Sequence, residues 1–165
     1  MEYSAHVCSA GMLSVALVAA TGVPEGTSPL LIAAWTCAFS LLPDAGNIIN
    51  NRKRSAYSHS LVAAAATVAG FALVLRAIGP GALAPYVSMH GCAFAFLGYA
   101  LHVVLDSLTT TGVGFLFPAI GRRHQHFPYF GSRLRYPDPY SCAWVVYAGI
   151  LSYLVLAVAE LALLL

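Results

Sequence analysis

The sequence predicts an all-α fold, a multi-pass transmembrane helix bundle of about five spans in one membrane domain covering residues 1–165. Three observations carry this. Hydrophobic residues make up 59% of the chain and charged ones 8%, with a mean hydropathy of +0.77, against about 25% charged in soluble domains. The apolar residues gather into five stretches, each bounded by helix signals. The period-2 alternation of a membrane barrel is absent, which leaves helices as the structure that satisfies its own backbone in lipid.

The first segment, about Ala5 to Ala20, has Glu2 where a secretion signal would carry its positive charge, and no Lys or Arg precedes it; it reads as a retained span. The second starts at Ser28-Pro29, an N-cap followed by Pro at the first helical position. It either ends near Leu42, with Pro43 stopping it at the interface, or kinks at Pro43 and continues toward Asn51. The third runs from His59 to Ile78, with Ser58 placed to cap it and Gly79-Pro80-Gly81 to stop it. The fourth covers Pro85 to Ser107 and the fifth Cys142 to Leu165, separated by a basic, aromatic loop at about 108 to 141. A second, soluble domain does not fit in the remaining length. Cys8, Cys37, Cys92 and Cys142 stand singly in or beside apolar segments and read as small core hydrophobes. The alanine run Ala63 to Ala66 reads as close helix packing.

With five spans the connections alternate sides. Arg52, Lys53, Arg54, Arg122, Arg123, Arg133 and Arg135 then share the side of the N-terminus, opposed by Arg76 alone. By the positive-inside rule that side is cytoplasmic, so the expected location is the cytoplasmic (inner) membrane with the N-terminus inside.

Ionisable side chains at membrane depth cost a few kcal/mol each and read by default as functional. His102 and Asp106, four residues apart near the end of the fourth segment, project from one helix face. On the predicted topology His6 opens the first helix, Asp44 ends the second and His59 opens the third, all at the same cytoplasmic level. Three imidazoles and two carboxylates thus converge. His90 lies roughly 18 Å from His102 along the helix axis and is set aside as interfacial or packing. Helix dipoles disfavour an anion at Asp44 and Asp106, near C-terminal ends, and a protonated imidazole at His6 and His59, near N-terminal ends. Neutral imidazole and ionised carboxylate are the forms that ligate a divalent ion. The candidate ligands are His6, Asp44, His59, His102 and Asp106, for Zn, Mn or Mg. An aspartate that orients a ligating histidine through its second nitrogen is the alternative role.

His6, Leu41-Leu42-Pro43-Asp44, Tyr57-Ser58-His59-Ser60-Leu61, Gly98-Tyr99 through His102, Asp106, Thr109 and Gly112, and Phe115-Leu116-Phe117-Pro118 together resemble the prokaryotic inner-membrane-associated metal-dependent hydrolases, also called LexA-binding membrane hydrolases. The resemblance runs from about residue 5 to 120 and is most specific in the G-Y-x-x-H-x-x-x-D-x-x-T-x-x-G stretch. It implies a multi-pass bundle with a metal site and hydrolytic activity. The chain departs from the pattern at Gly46 and Asn47, where the family carries Asp and His. It departs again at Arg54-Ser55, in place of a His-Arg pair, and at Ser58, in place of Thr. These departures leave open a single-metal site or a degenerate one without catalysis, with Asn47 one turn beyond Asp44 as a further oxygen donor if the helix continues.

The leading expectation is a metal-dependent hydrolase of an ester or phosphoester, lipid-linked by its position, with Asp44, His59, His102 and Asp106 as the catalytic set. Arg52, Lys53 and Arg54 would steady a substrate phosphate. In the basic loop, Arg122 to His126 and Arg133 to Arg135 interleave with Phe127, Tyr129, Phe130 and Tyr136, which suits lipid headgroups. No nucleic-acid module is present, and direct nucleic-acid binding is not expected. Thr109 to Gly112 would turn the chain and bring hydroxyls near the site. A non-catalytic membrane scaffold or regulator, presenting basic loops to a soluble cytoplasmic partner, is the alternative that Gly46 and Asn47 favour. A transporter would spread ionisable groups through the membrane depth, whereas these cluster at one end. Phosphate-binding glycine loops, G-x-S-x-G elbows and dinucleotide fingerprints are absent.

Overall fold

In the computed structural model, which describes residues 3–50, 55–109, 112–119 and 139–164, the described residues form helices and turns. Five α-helices follow in order: α1 (Tyr3–Thr21), α2 (Pro29–Asn50), α3 (Leu61–Ile78), α4 (Met89–Ser107) and α5 (Pro139–Leu164), with a 3-10 segment at Gly81–Val87 before α4. The chain is an all-helical bundle in which α3 and α4 are each long and apolar enough to cross a membrane, and α1, α2 and α5 contribute shorter apolar stretches. Large apolar side chains face outward, including Leu73 and Ile78 on α3 and Leu151 and Val158 on α5.

The helix ends have local causes. Ser28 Oγ accepts from Leu31 N and starts α2, with Pro29 in the first turn. Ser60, in extended backbone, caps α3 by accepting from Ala63 N. The expected cap, Ser58, lies instead in the turn before the helix, where Ser55 O accepts from the backbone N–H groups of Ser58 and His59. His59 therefore precedes α3 rather than opening it. At the other end α3 stops at Gly79, whose φ of 89° suits glycine. Of the two alternatives at Pro43, continuation holds: α2 runs through it to Asn50. Asp44 thus sits inside a helix, and the dipole argument for a strained carboxylate applies to Asp106 alone.

The core joins α2, α3 and α4 through Phe39, Ala64, Val68, Ala95, Tyr99 and Val103, with Val113 from the turn after α4. Its aromatic extension stacks Trp35 against Phe39, Phe71 and Tyr86, and Trp35 Nε1 donates to Gly91 O. A close approach of α2 and α4 is made possible by Gly98, where any Cβ would collide with the Thr36 carbonyl oxygen of α2. Helix α1 packs on α2 and α5. Tyr153 Oη, on α5, donates to Val7 O of α1. Cys8 is buried and Cys37 and Cys92 half-buried, all three as free thiols.

After α4 the chain turns back beneath α3. Thr109 Oγ1 and Thr109 N both donate to Asp106 O, Gly112 N donates to Thr109 O, and Leu61 N donates to Phe115 O. Thr109 thus closes the end of α4, and Phe115 supports the start of α3. Arg52, Lys53 and Arg54, Thr110 and Thr111, and the basic aromatic segment 120–138 lie outside the described residues, as does the side chain of Asn47.

Candidate metal centre

Four elements bring five ionisable side chains together. His6 comes from the first turn of α1, Asp44 from α2 just past Pro43, His59 from the turn before α3, and His102 and Asp106 from the last turns of α4. All five are buried. Asp44, His59, His102 and Asp106 each offer a ligand atom, and these atoms lie within 4.8 Å of one another. His6 stands beside this group, its Nε2 3.4 Å from Asp106 Oδ1.

A hydrogen bond behind the His102 imidazole assigns its tautomer. His102 Nδ1 lies 2.7 Å from Ser40 O. A carbonyl only accepts, so Nδ1 carries the proton and Nε2 presents a lone pair. His59 Nδ1 lies 2.9 Å from Ser58 Oγ, which is itself 3.3 Å from Ser55 O. Ser58 Oγ thus lies within hydrogen-bond reach of both His59 Nδ1 and Ser55 O, while His59 Nε2 faces Asp44 Oδ1 at 3.3 Å. Each imidazole is held from behind by a polar partner on its outer nitrogen, the usual arrangement of metal-ligating histidines.

The inward atoms have the spacing of a coordination shell. His59 Nε2 is 3.3 Å from Asp44 Oδ1 and 3.6 Å from Asp106 Oδ2; His102 Nε2 is 3.5 Å from Asp106 Oδ2 and 3.8 Å from Asp44 Oδ2. A lone pair on His102 Nε2 facing carboxylate oxygens at such distances is repulsive without a cation between them. Ligand bonds of about 2.1 Å in a tetrahedron place neighbouring donors about 3.4 Å apart, close to the observed edges. His102 Nε2 makes no hydrogen bond within the protein, and its buried lone pair needs an explanation that a bound ion provides. The residues fit a divalent metal in donor type and spacing.

Sequence reasoning brought these five residues to one level from helix ends and charge, but did not single out what positions them. Tyr99 Oη donates to Ser58 O at 2.7 Å, tying the turn that carries His59 to α4. Tyr99 precedes His102 by three residues, so a shared helix face was the available signal. The Ser40 carbonyl has no side-chain signature. His90, set aside, lies toward the opposite end of α4, where its Nε2 meets Thr21 Oγ1 at 2.9 Å.

No curated protein and no solved structure matches the chain. A family model described as YdjM inner membrane protein matches residues 1–163. With the apolar helices and the His/Asp cluster in place, that match means that the chain belongs to the YdjM inner membrane protein family.

Proposed function

We propose that this chain is a multi-pass inner-membrane hydrolase, with its N-terminus in the cytoplasm and a divalent-metal centre at the cytoplasmic end of the bundle. It acts on an ester or phosphoester of a lipid or lipid-linked compound. The observation that carries the reading is the inward-facing pair of His59 and His102 Nε2 atoms, set 3.3–3.8 Å from the carboxylate oxygens of Asp44 and Asp106. A divalent ion, when bound, supplies Lewis-acid polarisation and a nucleophilic water at neutral pH.

The residues around it bind and orient. Ser40 O and Ser58 Oγ fix the two imidazoles, and Tyr99 holds the His59 turn against α4. Asp106 is closed off at 1% exposure, whereas the Asp44 side chain retains 12%, so the substrate approaches along the Asp44 edge. Arg52, Lys53 and Arg54 follow α2 in the sequence and would meet the phosphate of a substrate entering there. The basic aromatic segment 120–138 would bind lipid headgroups.

A second reading has its own support in the burial of the cluster: His59 and His102 are 0% exposed, as suits a structural ion in a scaffold that presents basic loops to a soluble cytoplasmic partner. Metal analysis of detergent-purified protein, with turnover of phospholipid and lipid-linked phosphoester substrates, tests both. The hydrolase reading expects stoichiometric metal and hydrolysis, both lost in His102→Ala and Asp106→Ala. Metal without turnover on any such substrate favours the scaffold, and absence of metal in the wild type overturns both forms of the centre.

A further inference from the structure

His6 is 1% exposed, and neither of its ring nitrogens makes a hydrogen bond within the protein. Buried polar side chains are nearly always hydrogen-bonded, so such an imidazole calls for a ligand. The four-residue group of Asp44, His59, His102 and Asp106 does not absorb it, for a geometric reason.

The His6 ring stacks on His102, with centroids 3.8 Å apart and planes inclined by 18°. An imidazole binds a metal along the in-plane lone pair of its nitrogen, at about 2.0–2.1 Å. Planes so nearly parallel meet far beyond that reach, so one ion cannot lie on both lone pairs. His59 and His102 differ: their rings are 5.4 Å apart and inclined by 59°, which lets their lone pairs converge. His6 and His102 therefore address two points side by side, offset by about the stacking distance.

Asp106 spans the same offset. Its Oδ2 faces His102 Nε2 and His59 Nε2, at 3.5 and 3.6 Å, while its Oδ1 faces His6 Nε2 at 3.4 Å. Ions in two-metal sites lie about 3.5–4 Å apart, which matches the 3.8 Å spacing of the stacked rings. We infer that the centre takes two divalent cations bridged by Asp106: the first among His59, His102 and Asp44, the second held by His6 and Asp106 Oδ1. The inference rests on the metal-centre reading above and adds the second ion. With one imidazole and one carboxylate oxygen identified as its donors, the second ion keeps much of its water. That suits Mg or Mn and makes it the weaker of the two.

The test is Mn(II) titration of the full-length, detergent-purified protein, read by bound-metal stoichiometry and electron paramagnetic resonance. The wild type should bind two equivalents, the second more weakly, and develop an exchange-coupled spectrum as the second enters. His6→Phe keeps a ring of similar size against His102 and removes both nitrogens; it should bind one equivalent with an uncoupled spectrum and, free of metal, melt at the wild-type temperature. His6→Ala should behave alike, as a check that the loss follows the donor and not the new ring. A wild type that saturates at one uncoupled equivalent overturns the second ion and leaves the first centre standing, and so does a folded His6→Phe protein that still binds two. A wild type that binds none overturns the metal-centre reading itself.

Discussion

Ser58→Ala isolates the orientation of one ligand without removing any donor atom from the centre. In the native turn Ser58 Oγ lies 2.9 Å from His59 Nδ1 and 3.3 Å from Ser55 O. Removing the hydroxyl leaves Ser55 O with the backbone N–H groups of Ser58 and His59, at 3.1 and 2.9 Å, so no carbonyl is orphaned. The cost to the fold stays within a single net hydrogen bond, about 1 kcal/mol. His59 loses more: its Nδ1 no longer has the side-chain partner that holds the ring with Nε2 toward Asp44. Loss of such an orienting partner weakens metal binding about 10- to 100-fold. The lower end applies here, about tenfold or 1.4 kcal/mol, because the turn itself remains tied to α4 by Tyr99. Competition titration of the metal-free protein against a zinc indicator measures this directly. Ser58→Thr, which restores the hydroxyl, should return to wild-type affinity. An affinity for Ser58→Ala within twofold of the wild type, or a Ser58→Thr protein as weak as Ser58→Ala, would refute the orienting role of Ser58.

Tyr99→Phe deletes the 2.7 Å bond to Ser58 O. It should lower stability by about 1–3 kcal/mol, because a buried acceptor loses its donor, seen as a lower melting temperature by tryptophan fluorescence. Gly98→Ala sets a Cβ against the Thr36 carbonyl and should cost about 1–3 kcal/mol by overpacking. Gly70→Ala, where an added Cβ meets nothing within 4 Å, should be neutral or gain up to about 1 kcal/mol of helix propensity; equal melting temperatures for the two variants would show that α2 and α4 do not meet as described. Chelation of a saturated sample should lower stability by about 2.7 kcal/mol from a starting free-metal level of 100 times the dissociation constant, and an unchanged thermal scan would mean that the folded state binds no ion.

Periodicity and composition were enough to mark the five helices, because apolar length and flanking caps act locally. What the sequence read less well depends on contacts distant in the chain. At Pro43 the sequence leaves a stop and a kinked continuation open, because proline withholds an N–H; α2 continues, packed against α4 at Gly98. Capping shifted by two residues, from Ser58 to Ser60, because the turn stabilised by Ser55 O and held by Tyr99 takes up the earlier serine. His102 and Asp106 could be paired from an i, i+4 spacing alone. The stacking of His6 on His102 could not, since it depends on how α1 lies against α4.

The two aspartates have unequal surroundings, and that inequality separates binding from turnover. Asp106 is 1% exposed and faces His6, His59 and His102, whereas Asp44 faces His59 and His102 and its side chain is 12% exposed. Asp106→Asn keeps the shape of the side chain and places an amide among three imidazoles. It should cost more than the roughly 100-fold that bounds loss of an outer-shell partner, and leave the centre without metal at any practical concentration. Asp44→Asn keeps one carbonyl oxygen at the more open edge, so saturating metal should still fill the site. If hydrolysis proceeds along that edge, turnover in Asp44→Asn should fall well beyond the loss of occupancy, measured as activity per bound metal. Activity per bound metal equal to that of the wild type would place the reaction away from Asp44, and with it the proposed direction of substrate entry would fall.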